Sequence, residues 1–238
     1  MVVAVKRFPW ILTVAVLICV PPLIGLGVWQ VQRLNWKTDL IAAAEAAAER
    51  SRVALYTAFQ DGGGQGLEFR RVTVDCPDLA GAPFVEMRSI VDGVGGVRLY
   101  SLCRPDRFAF PFLVDRGFIA DGVTARPAVT PTEATTRIEG ELREIPRPSW
   151  LTPPSDGRTF YAPDVVAMPR ALGATGIAAP VMIFATSSTN PEIAALRPSA
   201  PSAAFSNNHL GYAITWFGLA LALVGIYVAM LRRRQKKD

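Results

Sequence analysis

Histidine is almost absent from this chain: among 238 residues only His209 carries an imidazole. One histidine cannot complete a zinc or copper site of the His-rich kind, and the central part of the chain has none to act as base to a serine or cysteine nucleophile. Cysteine is scarce as well, with three residues. Cys19 falls inside a long apolar run and reads as an apolar packing residue. Cys76 and Cys103 each follow a segment of strand character, and their spacing matches no metal motif. In an oxidising compartment these two can pair, and at this point a disulfide and two free thiols are both open. No pair of carboxylates stands out as an acid–base couple. An excess of one charge is missing too, except at the ends. Lys6, Arg7 and the C-terminal tail hold seven of the 25 basic residues, and residues 30–208 carry 18 basic against 19 acidic side chains. A nucleic-acid-binding face is therefore not expected. The glycine tract of residues 61–66 has no Lys-Ser or Lys-Thr after it and no strand before it, so it reads as a flexible loop and not a phosphate loop. These absences point away from an enzyme.

What the sequence does have is two long runs without charge. Residues 8–32 form the first, preceded by Lys6-Arg7. Trp10 and Trp29 lie 19 residues apart in it, about 28 Å along a helix, which suits one aromatic at each face of a bilayer. Pro21-Pro22 predicts a kink near its middle. A cleavable signal peptide would carry a shorter apolar region ending in small residues, whereas here Trp29-Gln30-Val31-Gln32-Arg33 follows, so an uncleaved anchor is expected. The second run, residues 210–231, is followed by Arg232-Arg233-Arg234-Gln235-Lys236-Lys237. At about 1.5 Å per residue it is long enough for a hydrocarbon core of about 30 Å, and the basic tail marks its cytoplasmic end. His209 then sits at the outer end.

On the second helix His209, Trp216 and Tyr227 fall on one line, with Tyr212 and Ala213 beside it, while Gly211, Gly218 and Gly225 fall opposite at seven-residue spacing. Small residues allow membrane helices to approach closely. The expectation is that the glycine face packs on the first span near Gly25 and Gly27, leaving the His/Trp/Tyr face for a ligand or partner. The plainer reading of the spacing alone makes the aromatics interfacial anchors and the terminal histidine a solvated one.

Between the runs, residues 35–52 are rich in alanine and predict a helix that continues the first span outward. Residues 69–76, 84–90, 97–102, 110–120, 137–145 and 180–186 have strand character, and residues 163–172 predict a helix that stops at Gly173. Short strands with Gly and Pro turns predict a β-rich (α+β) domain, a small antiparallel barrel or sandwich without parallel βαβ units. Asp115-Arg116-Gly117 reads as a strand-end turn holding a structural ion pair, with a functional charged pair as the rival, and Glu68-Phe69-Arg70-Arg71 reads as the solvated start of a strand. No internal repeat is present. The expected organisation is a cytoplasmic N-terminus at 1–9, a transmembrane helix at 10–32, a periplasmic β-rich domain with an N-terminal helix at 33–189, a linker at 190–208, a second transmembrane helix at 209–231 and a basic cytoplasmic tail at 232–238.

Four blocks carry a resemblance, in chain order: Leu26-Gly27-Val28-Trp29-Gln30-Val31-Gln32-Arg33-Leu34-Asn35-Trp36-Lys37, then Glu68-Phe69-Arg70-Arg71-Val72, then Phe112-Leu113-Val114-Asp115-Arg116-Gly117-Phe118, then Asn207-Asn208-His209-Leu210-Gly211-Tyr212-Ala213-Ile214-Thr215-Trp216-Phe217. With these the chain resembles a bacterial member of the Surfeit/Shy family of cytochrome c oxidase assembly proteins. Asp115 stands where that family more often has asparagine. The resemblance implies a multi-pass protein of the bacterial inner membrane, with its main domain facing the periplasm. It implies a chaperone role in respiratory-chain biogenesis, binding haem a and assisting its insertion into oxidase subunit I, with haem a synthase as a further partner. The alternative it leaves is a scaffold that holds oxidase subunits or haem a synthase without binding haem. It shifts the reading of His209 from a solvated residue to the haem-iron contact, with Tyr212 and Trp216 beside it as cofactor-binding residues.

Overall fold

The computed structural model describes residues 9–62, 66–147, 149–198 and 207–235. The expected cytoplasmic N-terminus up to residue 8, the centre of the glycine tract, residues 199–206 of the expected linker and the end of the basic tail lie outside the described residues. The chain divides into two compact units, residues 1–42 with 205–238, and residues 43–204.

The first unit is a pair of long helices. Helix α1 spans Trp10–Glu49 and runs through Pro21 and Pro22, so the expected first span and the alanine-rich helix after it are one element. Helix α4 spans His209–Gln235. Each is long and apolar enough to cross a bilayer by length and composition. Their pairing is antiparallel. His209 at the start of α4 meets Gln30, and Tyr227 near its end meets Thr13. The less exposed residues of α1 recur at alternating three- and four-residue steps, through Thr13, Val16, Val20, Leu23, Gly27, Gln30 and Leu34. Those of α4 do the same through His209, Ala213, Trp216, Ala220, Leu223 and Tyr227. A heptad seam of this kind keeps one stripe of each helix on its partner.

The second unit is built on a mixed eight-stranded sheet. Strand β1 (Val53–Ala54) leads into helix α2 (Leu55–Gly62), followed by β2 (Arg71–Pro77), β3 (Val85–Val91), β4 (Val94–Cys103), β5 (Phe112–Ala120), β6 (Thr135–Glu144), β7 (Thr159–Phe160), helix α3 (Ala167–Ala171) and β8 (Val181–Ala185). The order across the sheet is β1-β2-β6-β8-β5-β4-β3-β7. The six longer strands stand where the sequence predicts them. The topology does not follow the expectation. Pairs β1/β2, β3/β7 and β5/β8 are parallel, and β1–α2–β2 is a small parallel crossover of the type the sequence reading excluded. The strands form one sheet and not a sandwich, and β1 and β7 at its ends do not close a barrel. The sheet is nevertheless strongly rolled. Four strand spacings separate β2 from β4, about 19 Å if the sheet were flat. The Cα atoms of Cys76 on β2 and Cys103 on β4 are 5.2 Å apart and their sulfurs are bonded. The disulfide, which composition left open, closes the roll where backbone pairing does not.

Two cores explain the roll. The inner one gathers Val72, Val74 and Cys76 of β2, Ile138 and Leu142 of β6, Ile183 of β8 and Phe112 and Val114 of β5, with Leu55 and Ala58 of α2 over them. The outer one joins Tyr100, Leu113 and Met182 to Met168 of α3. Strand β5 contributes to both, which is why its sequence reads as an apolar run and not as an alternation. Helix α3 is shorter than the predicted helix at 163–172, although Asp164 accepts hydrogen bonds from the amides of Val166 and Ala167 at its start, both at 2.7 Å. Residues 190–197, expected to be linker, belong to the sheet domain instead. Leu196 is buried in a third cluster with Leu99 and Ile119, and Arg197 exchanges two backbone hydrogen bonds with Phe118.

Candidate functional site

The helix pair places the sequence-predicted site residues differently from the expectation. His209 and Trp216 lie on the seam with α1, partly buried, while Tyr212 is 58 % exposed and lies off it. The glycine face is the open one. A Cβ added at Gly211, Gly218 or Gly225 would meet nothing within 4 Å, and the same holds for Gly25 of α1. Only Gly27 makes the predicted close approach, where an added Cβ would lie 2.6 Å from the ring of Phe217. The assignment of the two faces of α4 is therefore reversed: the His/Trp/Tyr line packs on α1 and the glycines face outward. The physical reason is polar satisfaction. Thr13 and Gln30 sit on the apolar seam of α1, and a polar group shielded from water must find a partner. The Tyr227 hydroxyl stands 2.8 Å from Thr13 Oγ1, and Nδ1 of His209 stands 2.7 Å from Oε1 of Gln30. The hydroxyl of Thr215, beside the glycines, is satisfied within its own helix by Gly211 O at 2.9 Å.

The Gln30 oxygen faces the ring, and an amide oxygen only accepts, so in this arrangement Nδ1 carries the proton of the contact. Nε2, which in the neutral form of the ring then presents its lone pair, has no hydrogen-bond partner among the described residues. Two residues earlier, Oδ1 of Asn207 is shielded and has no partner among the described residues, while its amide nitrogen donates to Thr38 Oγ1 at 3.5 Å. Near the same end of the pair, Arg33 lies over the rings of Trp36 and Trp29, at 4.9 and 6.0 Å from their centroids. This corner thus combines an imidazole nitrogen and an amide oxygen without partners among the described residues, and a cation–aromatic stack. Sequence reading missed Gln30. Its position on the heptad stripe with Thr13, opposite two polar residues of α4 at matching spacing, is the signal that would have found it.

The second candidate, Asp115-Arg116, is not a strand-end turn. It lies in the middle of β5, where the pairing with β4 shifts so that Leu99 faces Gly117 and Tyr100 faces Asp115, leaving Arg116 as the extra residue of a bulge. Asp115 and Arg116 do not pair with each other. Asp115 is fully buried, binds Arg98 at 2.7 Å and accepts from the Gly117 amide at 2.9 Å. Gly117 has φ +131, and a Cβ there would lie 2.3 Å from the carbonyl oxygen of Arg197, so the bulge needs glycine. The Tyr100 hydroxyl, 3.5 Å from Asp115, is held well above its usual pKa by burial and then by the Asp115 charge. Arg116 points away into a nest of neutral acceptors. Nη2 donates to Ala80 O at 2.9 Å and to Asn190 Oδ1, Nη1 to Ser101 Oγ at 3.1 Å and Ala82 O at 3.3 Å, and Nε to Thr189 Oγ1 at 3.4 Å. Burial lowers its pKa to about 10, so it remains a cation at neutral pH. Five acceptors leave no donor for a ligand, and the group is a structural rivet.

Glu68-Phe69-Arg70-Arg71 is likewise not a solvated strand start. Glu68 binds Arg143 at 2.9 Å, Phe69 is buried, and the Arg143 guanidinium lies 4.6 Å from its ring centre. Among the described residues no group of three or more His, Cys, Asp or Glu side chains is arranged to hold a metal ion. The sheet domain has a cleft of about 380 Å³ between α2 and the loop at Pro105–Phe108, but its charged wall is occupied by the Arg137–Asp75 pair at 2.7 Å.

Fold and site together define a protein with two long apolar helices bracketing, in sequence, a rolled mixed sheet, and with its one imidazole set on the seam of the helix pair. Known proteins are similar to this chain in sequence. The chain belongs to the SURF1 family, whose sequence model matches residues 17–221. It is similar to a SURF1-like protein of Monosiga brevicollis, with 29 % identity over 224 residues, covering 88 % of this chain and 83 % of the relative. It is also similar to Surfeit locus protein 1 of Homo sapiens, 30 % identical over 222 residues, 83 % of this chain and 70 % of the human protein. The cytochrome oxidase assembly protein SHY1 of Saccharomyces cerevisiae is 27 % identical over 161 residues, 64 % of this chain and 41 % of the yeast one.

Proposed function

We propose that the chain is a membrane-anchored assembly factor for haem–copper cytochrome c oxidase, that haem a is its cargo, and that His209 contacts the haem iron. The name of the yeast relative, an oxidase assembly protein, supports the first part. The observation that carries the second is the half-buried sole imidazole, its Nδ1 engaged by Gln30 and its Nε2 without a partner among the described residues. A neutral imidazole nitrogen is a good axial donor to haem iron. Trp216 lies on the same face two turns further along α4, and Tyr212 lies off that face near the histidine, so Trp216 fits a supporting role and Tyr212 an outer contact. The chain would bind and release the group without changing it, and would act as no enzyme. Its partners in this reading are oxidase subunit I, haem a synthase and the lipid bilayer.

Both α1 and α4 cross the bacterial inner membrane in this reading, with the basic tail in the cytoplasm and the sheet domain in the periplasm. The distribution of Lys and Arg supports that orientation, and the Cys76–Cys103 disulfide fits an oxidising compartment.

A second reading has one observation in its favour. The His209/Trp216 line is covered by α1 and so serves helix packing, as a scaffold that binds no haem would require. His209→Ala separates the two. The change sits at a helix end, and the chain is expected to stay folded and inserted. As a haem contact, its loss should remove most of the haem a that co-purifies from haem a-producing cells and lower oxidase haem content. If the variant carries haem a at the wild-type ratio with an unshifted Soret band, His209 is not an axial ligand and the scaffold reading stands.

A further inference from the structure

We propose that Gln30 is the positioning residue for His209: its side-chain oxygen takes the Nδ1 proton and so holds the imidazole in the tautomer whose Nε2 is free to bind a metal. The inference deepens the reading of His209 as a haem contact and rests on it. Its basis is the 2.7 Å contact between His209 Nδ1 and Gln30 Oε1. Gln30 is 8 % exposed and lies on the seam of α1, in a stripe whose other members are apolar apart from Thr13: Val16, Val20, Leu23, Gly27 and Leu34. An aliphatic side chain would pack there at no desolvation cost. An amide at that place is costly unless its hydrogen bond is made. Which ring nitrogen of a histidine carries the proton is set by the hydrogen bond that the other makes. In metal sites the nitrogen that does not bind metal is routinely held by a carbonyl or carboxylate oxygen. Gln30 meets that need from the partner helix, so the pairing of α1 with α4 also prepares the donor. The arrangement couples two things that sequence presents separately: the Gln of the first matching block and the His of the last.

The sole histidine makes the test direct. The haem-free full-length chain, labelled with 15N-histidine and held in lipid nanodiscs, gives one imidazole only, and long-range 1H–15N correlation at a pH where the ring is neutral reads which nitrogen is protonated. The wild type is expected to show Nδ1–H. Gln30→Leu is expected to shift the population towards Nε2–H, and Gln30→Glu, whose carboxylate also accepts, to retain Nδ1–H. Titration of the same samples with haem a, followed by the Soret band, should show binding weakened about ten- to hundredfold by Gln30→Leu and largely kept by Gln30→Glu. An Nε2–H wild type, which is what a Gln30 amide turned to donate to Nδ1 would give, overturns the proposal without any variant. So does a tautomer that Gln30→Leu leaves unchanged. If the tautomers behave as expected and haem a binds neither the wild type nor Gln30→Glu, the haem reading of His209 fails while the positioning by Gln30 stands.

Discussion

At the scale of single residues, one full charge among the described residues is buried without an opposite charge in direct contact. Arg116 is completely buried, and its five acceptors are carbonyl, hydroxyl and amide oxygens, with Glu192 reached only through the amide of Asn190 at 2.7 Å. Planar guanidinium geometry lets one side chain tie the turn at Leu79–Gly81, strand β4 and the segment at Thr189–Asn190 to the bulge of β5, which an ammonium cannot do. Removing it would leave several buried acceptors without donors, at about 1–3 kcal/mol each where water cannot replace it. Arg116→Met is therefore expected to cost about 3 kcal/mol or more, and Arg116→Lys about 2 kcal/mol, in denaturant unfolding of the full chain. A cost within about 1 kcal/mol for the methionine variant would sink the rivet assignment. The pH dependence has a definite sign. The folded pKa lies near 10 and the unfolded value is higher, so the unfolded state binds more protons only above about pH 10. Stability should then rise with pH from this group in that alkaline window, and Arg116 should contribute no slope near neutrality. The sequence displayed Asp115-Arg116-Gly117 plainly. It could not display that a bulge turns two neighbouring side chains to different partners, because bulges depend on the register of the neighbouring strand.

At the scale of elements, legibility followed periodicity. The six longer strands and the two long helices carry enough residues for a repeat to show, and all eight appear where the pattern puts them. Strands β1 and β7 have two residues each, too few for any alternation, and parallel pairing between distant segments leaves no local mark. The seam of the helix pair was misread for a different reason. Both stripes of α4 obey the same seven-residue spacing, so period alone cannot choose between them, and the choice fell on the glycines because small residues permit close approach. The deciding partners are on α1. Paired cysteines test the outcome. Thr13→Cys with Tyr227→Cys, and Gln30→Cys with His209→Cys, should crosslink readily, whereas Gly218→Cys paired with positions on α1 should not. Gly27→Leu should disturb the pair, since Phe217 fills the space over Gly27, and Gly218→Leu should leave it intact. Crosslinking of the Gly218 position to α1, with none at Thr13–Tyr227, would restore the glycine seam.

At the scale of the whole molecule, closure of the sheet domain is divided between hydrogen bonds and one covalent bond. Seven strand pairings carry the sheet from β1 to β7, and its ends do not pair. What brings β2 against β4 is the inner core on one side and the Cys76–Cys103 bond, which spans 27 residues of sequence. Composition supplied the two cysteines but not their pairing, because three other strands lie between theirs in the sheet and only the roll makes them neighbours. In the chain-entropy account, a closed loop of that size restricts the unfolded state enough to stabilise the fold by about 3.5 kcal/mol. Cys76→Ser, Cys103→Ser and the double variant should therefore lose about the same amount, because each removes one and the same cross-link, and reductant should lower the wild type to their level. Unequal single variants would mean that the sulfurs act as separate packing groups instead. The bond also reports location. In cells lysed under denaturing conditions with a thiol-blocking reagent and without reductant, neither cysteine should label if the sheet domain faces an oxidising compartment, and both should label once reductant is added. Full labelling without reductant would place the domain in a reducing compartment, reverse the proposed orientation, and put the His209 end of the helix pair on the cytoplasmic side, where the basic tail could no longer be.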